Sequence, residues 1–157
     1  MRDLAQLARL DDTVARLDPK APLSISPRAS LRSAIATMRQ ACSGCMLVCE
    51  GSILCGIFTE RDLVKKVLAK GVPLDRPVSE FMTARPVTVR RSDTIGWVIR
   101  TMVEGHYRHL PVVDDQGQPI GIVSVKGIVQ YLVDHVPLSV YNLPPRPGQV
   151  QQTREGA

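Results

Sequence analysis

Gly56-Ile57-Phe58-Thr59-Glu60-Arg61-Asp62-Leu63 is the stretch around which the rest of the chain is organised. The apolar run from Ile53 to Phe58 predicts a short buried strand, and Thr59 stands where a helix starts. Glu60 and Asp62 occupy the first turn, where carboxylates complement the helix dipole, and Leu63, Val64, Val67 and Leu68 form its apolar stripe. The free N–H groups of such a helix start suit a phosphate. Asp62 follows Thr59 by three residues and therefore shares its side of the turn. A carboxylate there accepts hydrogen bonds from two neighbouring hydroxyls, as a ribose edge offers. The octapeptide alone also fits an ordinary capped helix with solvated charges.

Outward from this stretch, 157 residues suit one compact domain or two small lobes sharing a core. Aromatic residues make up only 4%, so the core must be aliphatic. No apolar run reaches the ~20 residues of a membrane helix. Arg2, Asp3, Arg9, Asp11 and Asp12 exclude a signal-peptide core, so a cytoplasmic protein without a membrane span is expected. The net charge of +5 invites a polyanion, but the basic residues are scattered singly or in pairs such as Lys65-Lys66 and Arg90-Arg91. Without aromatic interleaving or zinc-finger spacing, nucleic acid is not the expected partner, and a phosphate-bearing small ligand fits the charge better.

Cys42, Cys45, Cys49 and Cys55 fall in one short segment. Cys42 and Cys45 have metal-knuckle spacing, yet no second pair completes a four-ligand site. Structural thiols are expected, with a thiol-based redox or metal sensor using Cys42 and Cys45 as the alternative reading. No nucleophile–base pair or carboxylate dyad converges, so no catalytic residue, enzyme activity or resident metal is expected.

The chain matches itself at an offset of 64 residues. Pro22-Leu23-Ser24-Ile25 falls on Pro86-Val87-Thr88-Val89, Ser30-Leu31 on Thr94-Ile95, and Met38 on Met102. The match reaches upstream, with Val14 on Val78 and Leu17 on Phe81. With an extra residue placed near Tyr107, Val48 then falls on Val113, Gly56-Ile57 on Gly121-Ile122, Thr59 on Ser124 and Leu63 on Ile128.

Each unit reads as β-α-β-β-α. The first has strands Leu23 to Ile25, Met46 to Cys49 and Ile53 to Phe58, a helix capped by Ser30, and a second helix from Arg61 to Ala69. The other has strands Val87 to Val89, Leu110 to Val113 and Ile120 to Val123, a helix capped by Asp93 or Thr94, and a second helix from Lys126 to Val133. One unit is too small to bury a good core, so a mixed α/β (α+β) fold is expected, its tandem repeats packed about a pseudo-twofold axis.

This duplication resembles the CBS domain pair, or Bateman module, over roughly Asp12 to His135. The resemblance rests on Val78-x-x-Phe81-Met82-Thr83-x-x-Pro86-Val87-Thr88-Val89, on His109-Leu110-Pro111-Val112-Val113-Asp114, and on Gly-Ile-(Phe/Val)-(Thr/Ser) in both halves. It implies a stand-alone regulatory protein of bacterial type that binds AMP, ADP, ATP, S-adenosylmethionine or NAD and tunes a partner protein. The implied plan is an N-terminal helix over 1–11, motifs over 12–69 and 76–136, and a linker over 70–75. A Pro-rich, partly disordered tail follows over 137–157, and Leu4, Leu7, Leu10, Val14 and Leu17 make one helical stripe.

Carried onto this chain, the resemblance gives Asp62 the ribose hydroxyls, and Thr59 and Arg61 the phosphate. The segment Gly44-Cys45-Met46 offers backbone to the adenine edge, with Met46 or Ile25 on its face, and Arg108 and His109 reach the phosphates. Met46 and Ile25 also read as plain core, Arg108 as solvated, and His109 as a satisfied corner histidine. A weaker second cleft would use Val89, Leu110, Pro111, Ser124 and Lys126, because Gly127 stands where the ribose carboxylate would be. A homodimer is expected to cover apolar helix faces around Ile95, Val98 and Met102.

Overall fold

The computed structural model describes residues 10–135. The first half contains β1 (Ser24–Ile25), α1 (Leu31–Gln40), β2 (Cys45–Glu50) and β3 (Ile53–Thr59). Its closing helix, α2, starts as α over Glu60–Asp62, winds as a π-helix over Leu63–Val67 and ends as a 3-10 turn over Leu68–Lys70. The second half contains β4 (Thr83–Ala84), β5 (Val89–Arg90), α3 (Ile95–Gly105), β6 (His109–Val113), β7 (Pro119–Ser124) and α4 (Val125–Asp134). Two mixed sheets result, ordered β1-β2-β3-β4 and β5-β6-β7. Each has one parallel pair at its start and an antiparallel hairpin beside it.

The helices begin where hydroxyl residues satisfy orphan N–H groups. Ser30 accepts from the Ser33 N–H, Thr94 from Trp97, and Ser124 from Gly127. Asp93, the other candidate cap of α3, instead accepts from the Arg90 N–H. Strand β2 is apolar from Cys45 to Cys49, where both its faces are covered. Met46 and Val48 enter the first core with Leu31, Met38 and Phe58, while Cys45, Leu47 and Cys49 pack with Ile57 and Ile122 between the sheets. The second core gathers Val89, Ile95, Val98, Met102, Leu110, Val112 and Tyr131.

The segment leading into each half completes the core of the other. Val14, from the 3-10 turn Val14–Leu17, is fully buried in the second core, whereas Val78 is fully buried in the first. The backbone bonds repeat this exchange. The Val14 N–H donates to Asp93 O and the Val78 N–H to Ala29 O, each at 2.8 Å; Ile95 donates to Asp12 O and Leu31 to Arg76 O, again at 2.8 Å. Every partner lies 64 residues from its counterpart, which is the pseudo-twofold relation in atomic form. The Tyr131 hydroxyl also donates to Asp12, tying the leader to α4.

The two repeat glycines mark where these leaders cross. A Cβ on Gly56 would lie 2.9 Å from Thr83 O and 2.4 Å from Met82 Sδ, and one on Gly121 would lie 2.7 Å from Pro19 Cβ. Only the first crossing becomes a strand, with Thr83 and Ala84 paired to Ile57 and Gly56. Pro19 holds the position equivalent to Thr83 and has no N–H for a ladder.

Three expectations are corrected. The extra residue of the second half lies in the hairpin turn, not near Tyr107, because Val48 pairs with Gly56 and Val112 with Gly121. The stripe from Leu4 to Leu17 is not one helix: Leu10 to Thr13 form turns and a bridge before the short 3-10 turn, and Leu4 and Leu7 lie outside the described residues, as does the tail from 137. Ile95, Val98 and Met102 are at most 4% exposed, because they form the inner face of α3. Apolar residues exposed on the helices include Trp97 and Val103 on α3, Val64 and Leu68 on α2, and Val125, Val129 and Val133 on α4.

Candidate functional site

Both halves contribute to one cavity of about 490 Å³. Thr59 to Asp62 supply one wall, Thr83 to Val87 a second and Gly105 to Leu110 a third, with Gly44 and Ile57 completing the lining. Its volume lies in the range of small-molecule sites. Gly44 keeps the interior open, since a Cβ there would stand 3.2 Å from Glu60 Oε2 and 3.8 Å from His109 Cε1.

Thr59 and Asp62 form a reciprocal capping box. The Thr59 N–H and hydroxyl donate to Asp62 Oδ2 at 3.0 and 2.9 Å, while the Asp62 N–H donates to Thr59 Oγ1 at 3.2 Å. Lys66 Nζ lies 2.7 Å from Asp62 Oδ1 and also donates to Phe81 O at 3.0 Å. Asp62 is 7% exposed and held in place, and it is among the residues that line the cavity. The hydroxyl proton of Thr59 is committed to Asp62. Arg61 is committed too, donating through Nη1 to His106 O at 3.0 Å and so joining α2 to the end of α3.

Two further arginines, Arg85 and Arg108, and the histidines His106 and His109 line the same space. Burial lowers the pKa of His109; Glu60 opposes that shift and Arg108 adds to it, so the ring favours its neutral form. Arg85 has φ 47°, the left-handed region that side chains other than glycine rarely adopt.

Thr59, Arg61, Asp62, Arg108 and His109 thus come together as the sequence suggested, and Leu110, assigned to the second cleft, joins them. Ile25, Cys45 and Met46 do not line this cavity. Met46 is fully buried in the first core, Ile25 packs against it, and Cys45 lies between the sheets. Burial pushes the Cys45 thiol up to about 11, against the Ser43 hydrogen bond that lowers it. Of the second-cleft set, Val89 and Pro111 are buried, Ser124 caps α4 and Lys126 is exposed.

Glu60, Arg85, the Pro86-Val87 pair and Tyr107 were missed. The upstream match of Val14 on Val78 was the signal that could have found Arg85 and its neighbours, because it marks the leader as part of the repeat.

A family model described as CBS domain matches residues 14–69 and 78–134. A CBS domain-containing protein of Arabidopsis thaliana is 44% identical over 82 residues, covering 51% of this chain and 15% of the plant protein, so the chain spans a small part of that relative. Among solved structures, a CBS-domain containing protein from Agrobacterium tumefaciens is similar with a TM-score of 0.68 at 31% identity, over 74% of this chain and 95% of that one. CBSX2, solved in complex with AMP, is similar with a TM-score of 0.64 at 26% identity, over 78% of this chain and 96% of that one.

Proposed function

Since the chain belongs to the CBS domain family, we propose that it is a regulatory module that binds an adenosine-containing nucleotide of the AMP, ADP or ATP class and passes its occupancy to a partner protein. The carrying observation is Asp62, a carboxylate fixed by the Thr59 cap and by Lys66 at the wall of a cavity shared between both halves. The likeness to a protein solved with AMP supports the same class of ligand.

A ribose diol needs acceptors for two O–H groups, and a buried hydroxyl left unpaired costs roughly 1–3 kcal/mol. Asp62 supplies the acceptors, sharing Oδ1 with Lys66. Ile57, Pro86 and Val87 supply the apolar surface that a purine requires. Because the cavity is walled by both halves, a bound nucleotide bridges them, and its binding energy is available to shift how they sit for a partner. The outward apolar residues Val64, Leu68, Val129, Trp97 and Val103 support a homodimer through these helices.

The redox or metal alternative is weakened at Cys45, whose buried, high-pKa thiol is a poor nucleophile and ligand at neutral pH. Titration calorimetry with AMP tests the proposal, with one site per chain expected at micromolar to sub-millimolar affinity. Absence of heat and of any melting shift at millimolar AMP, ADP and ATP would reject it.

A further inference from the structure

We infer that Lys66 relays occupancy of Asp62 to the leader of the second half: a bound ribose displaces its ammonium from Asp62, and the displaced ammonium releases the Phe81 carbonyl. This inference rests on reading the cleft as a nucleotide site. An ionised carboxylate offers about four acceptor positions. In Asp62 the Thr59 N–H and hydroxyl take both positions on Oδ2, and Lys66 Nζ takes one on Oδ1 at 2.7 Å. Among the described residues no other donor reaches it, so Oδ1 can be shared between Lys66 and a single hydroxyl. A ribose diol brings two hydroxyls, and one of the present donors must then leave. The Thr59 donors belong to the cap, whose bonds close within one helical turn and satisfy the start of α2. Lys66 has a long flexible stem and a side chain 39% exposed, so its ammonium regains water when it leaves. Lys66 is the donor that yields.

Lys66 Nζ also donates to Phe81 O at 3.0 Å. Phe81 lies between Val78, which is fully buried in the first core, and the strand Thr83–Ala84, which pairs with β3. Lys66 therefore links the cleft carboxylate to the segment that joins the two halves. Once Asp62 no longer holds the ammonium, the neutral carbonyl bond that is left does not outweigh the rotamer freedom that a lysine stem regains. The second half has the tie without the link. Tyr131, the counterpart of Lys66 as Ser124 is of Thr59, donates to Asp12 of the other leader, but Gly127 puts no carboxylate beside it. A ribose site is thus wired to a leader in the first half alone.

The test is competitive labelling of lysine amines on the full chain with a limiting acetylating ester, read by peptide mass spectrometry with and without AMP. Lys65 and Lys70 are exposed on the same helix and serve as internal references. In the free chain Lys66 is expected to label more slowly than both, and saturating AMP to raise its relative rate about threefold or more. Calorimetry under the same conditions reports that AMP is bound. Lys66→Met keeps the stem and removes the ammonium. Because nothing then has to be displaced, AMP and adenosine are each expected to bind about threefold more tightly to this variant. Were Lys66 instead to steady Asp62 in the complex, the variant would bind both more weakly, so the sign of the change separates the two roles. Unchanged or slower labelling of Lys66 in the AMP complex, or weaker binding by Lys66→Met, would overturn the relay while leaving the nucleotide reading in place. Absence of binding heat for both AMP and adenosine would overturn both.

Discussion

Thr59 and Ser124 cap the second helix of each half in the same way, each hydroxyl accepting the N–H three residues on at 3.2 and 3.0 Å. Beyond that cap the halves diverge. Asp62 returns two hydrogen bonds to Thr59, whereas Gly127 has no side chain to return. Helix α2 then widens into a π-helix over Leu63–Val67, the stretch from which Lys66 reaches both Asp62 and Phe81 O, while α4 runs as a regular α-helix. π segments inside helices often sit at functional sites. A duplicated backbone therefore preserves the helix start, and the chemistry of each cleft is decided by a few side chains added to it.

The largest effect is expected from making the first half resemble the second. Asp62→Ala removes the acceptors for the ribose and should weaken AMP binding by about thirtyfold or more, since charge-assisted bonds contribute roughly 1.5–3 kcal/mol each. It should also destabilise the protein by about 1–2 kcal/mol, because Asp62 is a buried partner of the cap rather than a surface group. Calorimetry and thermal melting on the same variant separate the two losses. Unchanged AMP affinity would remove Asp62 from the site.

Next come the two crossings of leader and sheet. Gly56→Ala and Gly121→Ala should each cost about 1–3 kcal/mol in urea unfolding. Gly56 is expected to cost more, since its new methyl meets the carbonyl of Thr83, whose strand is paired and cannot retreat. A smaller loss at Gly56 than at Gly121 would contradict that account.

Gly127→Asp runs the comparison the other way. A Cβ there meets only Ser124 Oγ, at 3.3 Å, so the carboxylate can close a second capping box. A gain of about 0.5–1 kcal/mol is expected from losing a helical glycine, with a second, weaker AMP event in the calorimetric trace. A trace unchanged in stoichiometry would show that the carboxylate is not the missing element.

The smallest effect concerns position 45, the counterpart of His109. At pH 7.5 a thiol with a pKa of about 11 is ionised in fewer than about one molecule in a thousand. Exposed Cys42 should therefore react with a disulfide reagent far faster than Cys45, with no change in AMP binding. Equal rates would restore the thiol-sensor reading.

Much of this was legible locally. Ser30, Thr59 and Ser124 announced three helix starts because a cap is satisfied within one turn of its own chain. The apolar runs Met46 to Cys49 and Ile120 to Val123 announced β2 and β7, because each is short and bounded by turn residues. The π segment of α2 was not legible, since Leu63 to Val67 carries an ordinary amphipathic stripe and only the reach of Lys66 to Phe81 O distinguishes the winding. Met46 and Cys45 were misplaced for a related reason. Their class shows that they are buried, but not which of two similar surfaces buries them.

By itself, the sequence determined the two-unit plan, the caps, the strand and helix periods, and the loss of the carboxylate at Gly127. Each of these is a short-range or repeating pattern. Only the tertiary structure decided that Val14 fills the second core and Val78 the first, and so that Arg85 lines the same cavity as Asp62. The physical reason is that the two cores are near-equivalent aliphatic surfaces, and hydrophobic burial is non-directional. The choice between them is made by where each connecting segment can cross a sheet, at Gly56 and Gly121, and that crossing exists only once both halves are packed.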